Sequence, residues 1–147
     1  MLKKIIYSLL FSSVALLALE TGDTVPKEIE SQLNLEADKV YVIDFFASWC
    51  KSCKKEMPLI ANVYNNQIAE VIGVNVDKNK EDGEKFVSEL QIPFPVIYDS
   101  NKKLVEAFDP IGFPAIYYVK NGKVLNVIFG AVDEIDKQIT EDIKSIK

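Results

Sequence analysis

The 147-residue sequence contains no histidine. That absence removes the usual imidazole base, the commonest zinc ligand and any histidine-centred charge relay. Cysteine is scarce as well. The two present, Cys50 and Cys53, would need two further soft or imidazole ligands to hold zinc or copper, and the chain supplies neither. A basic excess is also missing: 22 acidic residues stand against 17 basic ones, a formal charge of −5. No basic stripe is available to track a phosphate backbone, so nucleic acid is not an expected partner. There is no internal repeat, low-complexity tract or sign of a second domain. A hydrophobic fraction of 48% with 27% charged residues is that of an ordinary globular protein. No cofactor is expected.

The long apolar run that does occur is at the N-terminus. Lys3 and Lys4 form a positive end, Ile5 to Leu19 an apolar stretch diluted by Ser8, Ser12 and Ser13, and Glu20 opens a charged region. This is the layout of an export signal, which divides the chain into residues 1–19, a signal peptide or N-terminal anchor, and a folded domain over 20–147. As a helix, the apolar run would cover about 22 Å, short of a hydrocarbon core of about 30 Å. That favours cleavage over a permanent anchor. The cleavage site is untidy, because Ala18 is small but Leu16 occupies a position where a second small residue is preferred. A membrane tether through an uncleaved segment therefore stays open. A buried amphipathic helix fits less well, since the apolar positions run all round it. Localisation is expected to be periplasmic or otherwise extracytoplasmic, in an oxidising space where a disulfide persists.

Without the leader, 15 basic residues face 22 acidic ones. Pro26, Glu28, Ile29, Leu33 and Leu35 suggest a short opening helix. Val40 to Phe46 (VYVIDFF) is an almost unbroken β-branched and aromatic run, as in a central strand buried on both faces. Cys50 to about Asn65 mixes lysines with Met57, Leu59, Ile60, Val63 and Tyr64 at helical spacing, with Pro58 interrupting as a residue that bends the helix. Val71 to Val76 reads as a second buried strand, ended by the polar stretch DKNKEDG. Glu84 to Leu90 reads as helix, Pro95 to Tyr98 as a short strand and Lys102 to Phe108 as a short helix. Ala115 to Val119 and Val124 to Phe129 are strands joined by Asn121-Gly122, a type I′ hairpin signal. Val132 to Ile146 closes the chain as a helix, with Ile135, Ile139, Ile143 and Ile146 on one face. Strand and helix alternate early and a hairpin comes late, so the expected fold class is α/β: a mixed sheet with helices on both faces.

Cys50-Lys51-Ser52-Cys53 sits where the first strand hands over to a helix. Three residues of separation at a helix start bring two sulfurs within bonding reach. The unpaired amides and dipole of the helix N-terminus favour an anion at Cys50, and Lys51, Lys54 and Lys55 add positive charge. Cys50 would attack a substrate disulfide, and Cys53, one turn deeper, would resolve the mixed disulfide. A structural disulfide is the plainer alternative, yet so short a loop restrains the unfolded chain little. Chance occurrence of the motif is another. Asp44 interrupts an apolar run, where an ionised carboxylate would be costly. It reads either as proton acceptor and donor for Cys53 or as a satisfied polar residue at a strand end.

The segment Val42 to Ile60 (VIDFFASWCKSCKKEMPLI) resembles the active-site region of the thioredoxin superfamily, especially the exported TlpA/ResA-like thiol–disulfide oxidoreductases. Trp49 immediately before the first cysteine, Asp44 six residues before it and Pro58 eight after it all stand at the family's spacing. Phe108 to Ala115 (FDPIGFPA) resembles the family's aromatic-x-x-x-Gly-x-Pro segment, and Gly130 follows the hairpin where the family also has a glycine. The resemblance implies a thioredoxin fold and a redox disulfide between Cys50 and Cys53. It also implies a cis Phe113–Pro114 bond facing the dithiol, with the Phe113 backbone free to pair with substrate. Trp49 would either shape the docking surface or cap the core. Departures are Lys51-Ser52, which lacks the usual proline, Pro110 in place of an aliphatic residue, and Ala115 where threonine is commoner. Pro93 to Phe108 looks like the strand–helix element inserted in the TlpA-like branch.

The resemblance implies partners among exported thiol or disulfide proteins, apocytochrome c for example, and a membrane electron-donor protein. A reductase is favoured over a disulfide-forming oxidant, whose familiar version places a histidine between its cysteines. A non-catalytic thioredoxin-fold module that docks clients is the remaining rival. A peroxidase would need its cysteine in a different context.

Overall fold

The structure, a computed structural model, describes residues 17–146; residues 1–16, where most of the expected leader falls, and residue 147 lie outside it. Five strands form one mixed sheet. They are β1 (Val40–Phe46), β2 (Glu70–Asn75), β3 (Val96–Tyr98), β4 (Ala115–Lys120) and β5 (Lys123–Phe129), in the spatial order β3-β2-β1-β4-β5. β1 runs parallel to β2, and β2 to β3, while β4 is antiparallel to both β1 and β5. The helices are α1 (Lys27–Gln32), α2 (Lys51–Asn65), α3 (Lys80–Glu89), α4 (Lys103–Phe108) and α5 (Ile135–Ile146).

Side-chain alternation along β1 sorts the helices into two layers. Val42 and Phe46 point to the face that carries Met57 and Ile60 of α2, Phe86 of α3 and Ile135, Ile139 and Ile143 of α5. Tyr41, Ile43 and Phe45 point to the opposite face, against Ile29 of α1 and Leu104 and Phe108 of α4. Because both faces are covered, β1 carries no polar alternation, and its run of apolar residues is what a doubly buried strand requires. The isoleucine stripe of α5 is buried at Ile135, Ile139 and Ile143 and half-buried at Ile146. Each of the buried side chains stabilises the fold by about 1.5–3 kcal/mol.

Two helices start more than one residue away from the sequence expectation. Helix α3 begins at Lys80, four residues before Glu84, so half of the polar DKNKEDG stretch is helical. Glu81 and Asp82 lie in its first turn, where the helix dipole favours acids, but they leave no apolar period to read. Gly83 obscures the start further. It is there because a Cβ would overlap the side-chain amide of buried Asn75. Helix α5 begins at Ile135, and Val132 belongs to the approach. The Asn121-Gly122 hairpin has left-handed backbone at both central residues, φ 50° and 72°, as a type I′ turn demands. On the outer side of β5, Gly22 and Val25 donate to the Val124 and Gly122 carbonyls, and Val124 donates to the Asp23 carbonyl, at 2.8–2.9 Å. No helix among the described residues is long and apolar enough to cross a membrane.

Candidate active site

Strand β1 ends at Phe46, and Ala47 to Cys50 carries the chain into α2. Cys50 is the N-cap residue, with extended backbone at φ −88° and ψ 104°. Its sulfur does what a capping serine or aspartate oxygen usually does, accepting the amide of Cys53 at 3.2 Å. Cys50 and Cys53 are joined as a disulfide with their Cα atoms 5.2 Å apart, so the molecule is in its oxidised state. Cys50 keeps 7% of its surface accessible and Cys53 none. The difference has the expected sign and is small.

Charge around this helix start is unusual within the molecule. The first turns of α1, α3, α4 and α5 all contain acidic residues; that of α2 contains none. Lys51, Lys54 and Lys55 are exposed there instead. Lysine at a helix N-terminus works against the dipole by about 0.3–1 kcal/mol, and what it favours is a thiolate at Cys50.

Beneath the disulfide lies a different environment. Asp44 is on the α2-facing side of β1, in one cross-strand row with Gly73 of β2 and Ile116 of β4. It is 1% accessible, and neither carboxyl oxygen has a hydrogen-bond partner. Burial pushes its proton affinity well above the ordinary aspartate value, and the charge of Glu56 pushes in the same direction. Glu56 is also buried with both oxygens unpartnered. Burial raises it to about 7, and the Val132 amide, close by but short of hydrogen-bond geometry, pulls slightly the other way. Asp44 is therefore not a satisfied polar residue at a strand end. Two carboxyl groups sit in the core on the side of buried Cys53, each holding its proton unusually tightly.

The outer rim comes from two segments. Trp49 is 65% exposed, so it does not cap the core. Its ring meets Phe113 edge to face, with centroids 5.9 Å apart. Pro114 precedes β4, whose Ala115 pairs with Phe45, so the Phe113-Pro114 turn lies beside the end of β1 that leads to Cys50. The Phe113–Pro114 peptide bond is cis, and Gly130 donates to the Pro114 carbonyl at 2.9 Å. Ile111, on the loop before it, is 80% exposed. Cys50, Cys53, Asp44, Trp49, Phe113 and Pro114 thus converge at one end of the sheet. Pro58 lies within α2 with its ring exposed, and it removes the amide that would have met the Lys54 carbonyl.

Glu56 was not singled out from sequence, although a signal existed. Cys53, Met57 and Ile60 define the buried stripe of α2, and Glu56 falls within it. Among the described residues no group of three or more acidic or thiol side chains is arranged to hold a metal ion.

Known proteins share this architecture. The AhpC/TSA family model matches residues 17–127. A thiol-disulfide oxidoreductase ResA from Geobacillus thermodenitrificans is 31% identical over 139 residues, covering 86% of this chain and 80% of that protein. The Bacillus subtilis thiol-disulfide oxidoreductase ResA is 33% identical over 116 residues, which is 76% of this chain and 64% of the relative. Among solved structures, a DsbE-type thiol:disulfide interchange protein from Chlorobium tepidum superposes with a TM-score of 0.73, covering 87% of this chain and 98% of that one. At 23% identity that likeness is one of fold, and the fold is the thioredoxin fold.

Proposed function

The chain belongs to the AhpC/TSA family, among its ResA-like thiol–disulfide oxidoreductases, and from that premise we propose that it works outside the cytoplasm as a reductase of exported proteins. It exchanges thiols for disulfides through Cys50 and Cys53. In the reducing direction the Cys50 thiolate attacks one sulfur of a client disulfide. The client S–S bond breaks, its other sulfur leaves as a thiolate, and a mixed disulfide forms. Cys53, losing its proton, then attacks the Cys50 sulfur. The client departs with two thiols and the enzyme is left with the Cys50–Cys53 bond seen here. Two electrons have passed to the client, and a dithiol donor must return them; a membrane protein is the proposed source.

The observation that carries this reading is the pair of unpartnered buried carboxyl groups under a fully buried Cys53. A thiol sealed from water needs an internal proton acceptor when it attacks, and the buried, unpartnered Asp44 and Glu56 support assigning that role to them. Where Glu56 ionises, near pH 7, its charge opposes a Cys53 thiolate, which makes the dithiol readier to give up its electrons. The lysines above Cys50 act the other way. Trp49, Phe113 and Ile111 offer apolar contact to the client, and the Phe113 backbone beside Pro114 offers main-chain pairing. Apocytochrome c is one client class consistent with this proposal, and Leu19 is where an uncleaved leader would join the domain.

Trapping tests the division of labour. Cys53→Ser is expected to accumulate covalent client complexes through Cys50, and Cys50→Ser to accumulate none; equal trapping by both would overturn it. Direction is tested by equilibration with glutathione. A reductase is expected to lie nearer the thioredoxin potential of about −270 mV than the oxidant value of about −120 mV.

A further inference from the structure

The loop that presents Cys50 is tied down by a carboxylate from the neighbouring strand's exit. Ser48, two residues before Cys50, donates its amide to Asp77 Oδ2 at 2.9 Å and its hydroxyl to Asp77 Oδ1 at 2.7 Å. The Asn75 side-chain amide donates to the same Oδ2 at 2.7 Å, and its Oδ1 accepts the Asp77 amide at 3.3 Å. Asp77 and Asn75 are both buried. Asn75 is held in turn: its carbonyl accepts the Asp99 amide at 2.9 Å, and Gly83 of α3 leaves its side chain room. Charge-assisted bonds of this kind, shielded from water, are the strong ones. The remaining backbone tie within the loop is a single bond, Cys50 amide to Ala47 carbonyl at 3.2 Å.

We propose that Asp77 is a positioning residue for disulfide exchange, acting through Ser48 to hold the Ala47-to-Cys50 peptide. In that position the Cys50 sulfur caps α2 and Trp49 projects toward the client. The proposal rests on Cys50 and Cys53 being the exchanging pair. Its effect differs between the two redox states for a simple reason. In the oxidised protein the covalent bond to Cys53 already fixes Cys50. In the reduced protein that bond is gone, and the latch, helped by the single Cys50-to-Ala47 backbone bond, keeps the Cys50 sulfur over the Cys53 amide, where its anion is stabilised. Losing the latch therefore destabilises the reduced state more than the oxidised one. By linkage it shifts the thiol–disulfide equilibrium toward the disulfide.

The test uses the purified full chain and glutathione redox buffers. Ser48→Ala removes the hydroxyl bond and leaves the amide bond, so the fold is retained. It is expected to shift the equilibrium with glutathione roughly threefold to tenfold toward the disulfide, and Asp77→Asn about tenfold or more. In both, the pH midpoint for alkylation of reduced Cys50 should rise. Ser48→Thr keeps the hydroxyl and should restore wild-type values. A purely structural latch would behave differently: melting temperature would fall equally in the oxidised and reduced forms, with equilibrium and alkylation profile unchanged. That outcome, or Ser48→Thr behaving like Ser48→Ala, overturns the proposal. A wild-type protein that does not equilibrate with glutathione at all refutes the exchange chemistry itself, and the latch with it.

Discussion

Four carboxylates are buried among the described residues, and they fall into two pairs that share a chemistry and little else. Asp77 and Asp99 are satisfied: the first accepts three hydrogen bonds from Ser48 and Asn75, the second the amides of Leu104 and Val105 at 3.0 and 2.8 Å. Asp44 and Glu56 accept none. A buried carboxylate that is fully bonded organises backbone around itself; Asp99 starts α4 and Asp77 ties down a loop. One that is left bare keeps its proton instead, because the charged form has nothing to replace its lost hydration. The same carboxyl group is scaffold in one pair and proton store in the other. What decides between them is whether neighbouring amides point at the oxygens.

The comparison can be broken at several points. The largest effect belongs to Asp44→Asn, which keeps shape and removes the titrating group. Exchange at neutral pH is expected to slow about 100-fold, with stability undiminished, in a stopped-flow assay of client reduction. A wild-type rate would take Asp44 out of the proton-transfer step. Next comes the pH dependence of stability. Glu56 is raised from 4.5 to about 7, so the folded protein holds this proton through a range in which the unfolded chain has released it. Its contribution to stability is complete below about 4.5 and is lost as pH rises through about 7. The loss is on the order of 2–3 kcal/mol, and Asp44, raised from 3.8, adds a slope of the same sign. Urea midpoints between pH 4 and 8 should fall with pH in the wild type and fall less in Glu56→Gln; identical curves would show that Glu56 ionises freely in the fold. The smallest effect is on the scaffold side. Asp99→Ala should cost about 1–2 kcal/mol by denaturant unfolding and leave the glutathione equilibrium where it was. A redox shift in Asp99→Ala would erase the distinction between Asp99, which organises α4, and Asp77, which holds the Cys50 loop.

Much of this was legible before any coordinates. The doubly buried β1, the Asn121-Gly122 turn and the isoleucine period of α5 follow from local pattern, and local pattern also places Cys50 at a helix start. The motif's chemistry follows because a helix N-terminus is a property of sequence neighbours alone. What stayed hidden depends on distant ones. Glu56 looks like one more charge in a lysine-rich helix until the turn at Val132, far along the chain, closes beside it. Asp77 looks like the end of a strand, because its partner Ser48 lies 29 residues earlier. The start of α3 was lost to Gly83, whose reason is the Asn75 side chain and not the helix itself. The Asp77 latch and the start of α3 rest on contacts between elements, of which periodicity carries no trace; for Glu56 the stripe of α2 marks burial but not what the carboxyl group faces.

The pairing of residues 22–25 along β5 has a consequence for handling as well as for shape. An uncovered strand edge recruits strands from other molecules, and this sheet has only two edges to protect. One, β3, is three residues long, too short to template much. The other is sealed at its start, Lys123 and Val124, by residues 22–25, which must wait for a partner about one hundred residues downstream. Contacts that far apart form late, so a nascent or partly unfolded molecule carries an open, β-branched edge until its two ends meet. Trimming the residues just before α1 should therefore show itself first as self-association in concentrated solution, with disulfide chemistry at the opposite end of the sheet left intact.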